Sequence, residues 1–199
     1  MFASGFESTT NQQENLRQKF AQLREEIHRA MKVEETQRLK ENPTPSEEEL
    51  HMGAFREWLE PQVRTAVEEM FRKGYATQSS GFHGEECEMQ MIDGWFTIDS
   101  ETKERLSQIG VEVLRGADIG LPKNKMVGIL RFRARRPEIG EIKAQWDTIA
   151  ALLPEKTLPQ GIRPMCDRAE EFRERFAPGH PSLEEERNKY LDYIRTVTE

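Results

Sequence analysis

The chain has 199 residues, with 29 Lys and Arg against 36 Asp and Glu and a formal charge of −7. Charged residues make up 33 % of it, hydrophobic ones 36 %, and the mean hydropathy is −0.79. No run of about 18 apolar residues exists, which excludes a spanning helix, and the acidic balance argues against a general nucleic-acid binder, whose phosphate contacts need clustered Lys and Arg.

The acid sits on the flanks: residues 1–50 carry −3, residues 51–136 are balanced, and residues 137–199 carry −4. Cys87 and Cys166 are the two cysteines. Met1–Glu7 lacks the basic and apolar stretches of a secretory signal, so both thiols are expected to be free in a reducing, cytoplasmic setting.

Residues 1–9 are small, polar and without periodicity, and read as a disordered tail. Over 10–41, Leu16, Phe20, Leu23, Ile27 and Ala30 recur at steps of four and three, the seam of an amphipathic helix. That seam suits either packing on its own domain or a protein partner, including a second copy, through residues 10–41. Pro43 and Pro45 break the helix and close an N-terminal unit at residue 45.

Ser46 and Glu49 form a capping-box pattern that starts the core, residues 46–154. Helical patterning runs over 47–73 with a step at Glu60-Pro61. The period then changes to two. Residues 75–80 and 87–92 read as strands, with a loop over Gly81–Gly84 between them. Asp93-Gly94 reads as a two-residue hairpin turn into a return strand at 95–98. Asp99 or Ser100 caps a short helix, and 111–115 and 126–134 are further strands. Pro137 opens a helix whose Ile139, Ile142, Trp146, Ile149 and Leu153 face inward. Residues 155–199 form a C-terminal helical extension, in which Ser182 and Glu185 repeat the capping-box pattern. The fold class is therefore α+β: about five mostly antiparallel strands at 75–134, flanked by helices.

Two segments carry candidate binding chemistry. Arg131, Arg133 and Arg135 project from one face at strand period, a row able to grip phosphates unless Glu88 and Glu112 neutralise it. Ser79-Ser80-Gly81-Phe82-His83-Gly84-Glu85-Glu86-Cys87 gathers hydroxyls, an imidazole, carboxylates and a thiol. Ser79, Ser80 and His83 are its candidate binding residues. Its spacing matches neither a cysteine-hydrolase signature nor the G-x-S-x-G elbow. His28, His51, His83 and His180 lie far apart and no C-x-x-C exists, so neither metal nor other cofactor is expected. Three functions follow in order. The first is a non-catalytic interaction protein using the helix seam Leu16, Phe20, Leu23 and Ile27 or the polar sheet face. The second is a nucleic-acid-associated protein using the arginine strand. The third is a small enzyme with its site near residues 79–87.

Overall fold

The computed structural model describes residues 4–83, 88–120 and 127–198, with side chains described over 12–83, 88–120 and 127–197. Helices α1 (Ser4–Glu41) and α2 (Glu47–Met52), a 3-10 turn (Arg56–Trp58) and α3 (Arg64–Arg72) precede strands β1 (Ala76–Phe82) and β2 (Met89–Trp95). Helix α4 (Ser100–Gln108), strand β3 (Glu112–Arg115), a second 3-10 turn (Gly116–Ile119) and strand β4 (Gly128–Arg133) follow. Helices α5 (Ile139–Leu152), α6 (Ala169–Phe176) and α7 (Glu184–Thr198) complete the chain. The fold is α+β, with a sheet of order β1-β2-β4-β3 in which all neighbours are antiparallel.

The sheet has four strands, not five. Asp93-Gly94 makes no turn: it lies inside β2, where Asp93 pairs with Ile129 and Gly94 with Gly128 on β4. Its glycine serves a close approach instead. The pairing of β1 with β2 slips between Thr77 and Ser79, and a Cβ on Gly94 would stand 2.0 Å from the Ala76 carbonyl oxygen. The residues after Trp95 leave the sheet and lead to α4, whose first turn is capped by Asp99 accepting from the Thr102 N–H at 2.8 Å.

Two further expectations change. The helical stretch at 47–73 is interrupted, because Gly53 closes α2 in a left-handed C-cap and α3 begins only at Arg64. The Ser182–Glu185 box is replaced by a tertiary cap. Glu170 of α6 accepts the Leu183 N–H at 2.6 Å and the Ser182 hydroxyl at 2.9 Å, while Glu185 pairs with Lys189. The Ser46–Glu49 box does form, with its two bonds at 2.8 and 3.2 Å.

One face of the sheet carries Ile92, Leu130 and Phe132 into the main core, with Val67 and Met70 of α3 and Ile142, Trp146 and Ile149 of α5. The Phe132 and Trp146 rings meet edge to face at 4.9 Å. Phe20 and Ile27 of α1 are buried in the same cluster, and Leu23 packs against it. Three residues of the seam are therefore used within the chain, and Leu16 remains 38 % exposed.

A second core joins the C-terminal helices to the start of the sheet. Leu50, Phe55, Ala76, Met165, Phe172, Tyr190 and Ile194 form it. Tyr190 is its polar pin: the hydroxyl donates to the Trp95 carbonyl at 2.8 Å and accepts the Ala76 N–H at 3.3 Å. Replacing Tyr190 by Phe takes the partner from a buried Ala76 N–H and a part-buried Trp95 carbonyl, and an unsatisfied buried group costs about 1–3 kcal/mol. Tyr190→Phe is expected to lower unfolding free energy by about that much in urea titration; an unchanged midpoint would show that the hydroxyl holds nothing.

Candidate functional site

A cleft of about 470 Å³ lies where the two cores meet. Its first wall is the β1 segment Thr77–Ser80. Its second is one face of α6, where Glu171, Phe172 and Arg175 follow Arg168 at the N-cap at helical spacing. Trp58 and Leu59 close the third side, and Met52 and Val67 lie deeper.

The aromatic wall is built by packing. Phe55 touches Trp58, Phe172 and Phe176 at ring distances of 5.2, 4.9 and 5.0 Å, and Trp58 meets Phe172 and Phe176 at 5.6 Å. Arg38 of α1 lies 4.6 Å from the Phe55 ring centre and binds Glu49 at 2.9 Å, so a cation backs the cluster. Arg168 donates to the Gln78 carbonyl at 3.4 Å and ties α6 to β1. Arg175 rests over the Phe176 ring at 4.8 Å.

Sequence reading singled out Ser79 and Ser80, and both line this cleft. The Ser79 amide donates to Asp93 at 3.0 Å across the strand pair, and the Ser79 hydroxyl engages the same carboxyl. Burial holds the Asp93 carboxyl above the usual carboxylate range; the Ser79 bonds oppose that shift. His83 is exposed at the end of β1, where its main-chain N–H donates to the Met89 carbonyl at 3.0 Å. Among the described residues its imidazole bonds neither serine. Glu85 and Cys87 lie outside the described residues. Cys166 is buried near Gln78, and burial pushes its thiol up to about 11, which leaves little thiolate at neutral pH. Among the described residues no three His, Cys, Asp or Glu side chains cluster in a way that holds a metal ion.

The arginine row is divided. Arg131 bonds Glu112 at 2.7 Å and Arg133 bonds Glu88 at 2.6 Å, both on the sheet face opposite the main core. Arg135 falls beyond the end of β4, in a second, smaller cleft of about 330 Å³ with Arg136, Glu141 and Gln145. The three do not form one free cationic strip.

Sequence reading missed the α6 side of the site. Arg168, Phe172 and Arg175 stand at helical spacing, but only tertiary contact sets them against β1. No protein-family model matches this sequence, no curated protein matches it, and no solved structure matches it.

Asp93 offers a test of the site's electrostatics. Its folded pKa is raised above the ordinary 3.8, so the native state holds the proton more tightly and stability falls as pH rises through the window just above 3.8. Asp93→Asn removes that loss while keeping an acceptor for Ser79. Relative to wild type, the variant is expected to gain stability from pH 3.5 to pH 7 in thermal melts. A constant difference across that range would place Asp93 in an unshifted state.

Proposed function

We propose that the chain is a non-catalytic binding protein whose ligand, apolar in body and anionic in part, seats in the cleft between β1 and α6. The observation behind this reading is the convergence in one concavity of an aromatic wall (Trp58, Phe172), two arginines and a strand edge. Pockets of a few hundred cubic ångströms with apolar linings and a few placed polar groups are the usual form of a ligand site. The two arginines outnumber the one carboxylate among them, Glu171, so an anionic group is favoured there.

Catalysis has weaker support, because neither Ser79 nor Ser80 has an imidazole within hydrogen-bond reach among the described residues. Partner binding through α1 has weaker support too, since Phe20, Leu23 and Ile27 already pack in the chain's own core. No described helix is long and apolar enough to cross a membrane, and binding in an aqueous compartment, here assigned to the cytoplasm, follows the composition.

An aromatic sulfonate, 1-anilinonaphthalene-8-sulfonate, mimics the proposed ligand class and reports its own binding by fluorescence. Saturable one-to-one binding to the native protein is expected, weakened about tenfold or more by the paired substitution Arg168→Glu and Arg175→Glu, a change of about 1.4 kcal/mol. Both arginines are exposed, so the melting temperature of the variant is expected to stay close to wild type. Binding that never saturates, or that ignores the substitutions, would remove the cleft from consideration.

A further inference from the structure

We propose that the ligand of this cleft is an extended, acidic segment of a partner protein that adds to the edge of β1 and pairs with the main chain of Ser80. The proposal rests on the cleft being a binding site and goes further by naming what it takes.

The first observation is an open stretch of strand edge. β1 is the outermost strand of the sheet. The His83 N–H donates to the Met89 carbonyl, which sets the alternation of the antiparallel ladder. Gly81 then bonds β2, and Ser80 and Phe82 turn their N–H and C=O groups outward. Phe82 shows this directly, because its N–H donates to the Glu60 carboxylate at 2.9 Å instead of to β2.

The second observation is how the rest of that edge is closed. Glu60 takes the Phe82 N–H at one end. Arg168 takes the Gln78 carbonyl, and Tyr190 takes the Ala76 N–H at the other end. Folded proteins cover exposed edges because the unpaired groups attract other strands. Among the described residues no side chain covers Ser80, which lines the cleft.

The third observation is charge. Arg168 and Arg175 stand on the wall facing that edge, against the single carboxylate of Glu171. An extended peptide alternates its side chains between two directions. One that pairs with Ser80 directs apolar side chains at Trp58 and Phe172 and brings carboxylates within reach of the arginines. Main-chain bonds then supply affinity and the alternate side chains supply specificity.

The probe is a fluorescein-labelled, end-blocked hexapeptide alternating Phe and Glu, read by anisotropy. Two versions carry N-methyl groups on one or the other alternate set of main-chain nitrogens, and a third replaces Glu by Lys. Saturable binding is expected. Methylation of one set is expected to weaken it at least tenfold and methylation of the other set to change it little. The Lys peptide is expected to bind at least tenfold more weakly. Ser80→Pro removes the outward N–H and is expected to weaken the parent peptide similarly; the methylated peptides give the same information on wild-type protein should that variant fold poorly. Binding indifferent to both methylation sets overturns the strand-addition mode. If the aromatic sulfonate binds and responds to the arginine substitutions while no peptide binds, the peptide assignment falls and the cleft remains a site; if neither binds, both fall. Self-association in sedimentation velocity that Ser80→Pro abolishes would give the edge to a second copy and overturn the partner segment.

Discussion

A single buried carboxylate organises the junction of this protein. Glu60 is 8 % exposed and accepts from Gln62 at 2.6 Å and from the Phe82 N–H at 2.9 Å, with the His28 ring nitrogen 2.8 Å away. It thereby joins α1, the α2–α3 connection and the edge of the sheet. A buried charge persists only when its lone pairs are filled, and removing any one donor leaves the others holding a costlier group. The backbone makes room for it. Gly81 has φ of +112°, and a Cβ there would stand 2.1 Å from a Glu60 carboxylate oxygen. The loop that brings Glu60 in and the glycine that admits it are thus one device.

That device sets the shape of the cleft. Closing the Phe82 end of β1 with a side chain lets the strand remain an edge without meeting another strand there. Tyr190 does the same at Ala76 from the opposite core. Between these two closures the chain bulges at Gln78, and Asp93 leans across to hold the Ser79 amide. Among the described residues the outward main-chain groups left without a side-chain partner between Phe82 and Gln78 are those of Ser80. Position, rather than any unusual side chain, distinguishes Ser80 from its neighbours.

The sequence makes the fold class legible because the hydrophobic period changes cleanly from helix to strand near Gly74 and back after Ala134. Trp146 and Ile149 were legible for the same reason: an amphipathic stripe states its own buried face. Asp93-Gly94 misled because local turn preference and close backbone approach both favour glycine, and only the bulge opposite it decides between them. The α1 seam left two readings open, since a narrow apolar stripe looks the same whether it meets its own core or another chain. Ser79 and Ser80 were found as part of a polar segment, while Arg168 and Arg175 were not, because their relation to β1 spans about ninety residues and no local pattern encodes it. Arg131 and Arg133 read either as a cationic row or as partners of Glu112 and Glu88, and the strand register, which sets Glu112 opposite Arg131, decides for the pairs.

The wall of the cleft is closely packed without a ligand, and this bears on how the proposed ligand would bind. Phe55 is completely buried and contacts Trp58, Phe172 and Phe176 together, so none of the three rings can swing without disturbing the others. Glu170 fixes the first turn of α6 through Ser182 and Leu183 and also pairs with Arg173 of its own helix. The arginines are the more lightly held part: Arg168 has one main-chain acceptor and Arg175 only a ring face among its described contacts. In the proposed binding mode a ligand orders two exposed side chains and leaves the packed wall as it is. Ordering a long side chain costs about 0.5–1.5 kcal/mol, less than a charge-assisted hydrogen bond of about 1.5–3 kcal/mol returns.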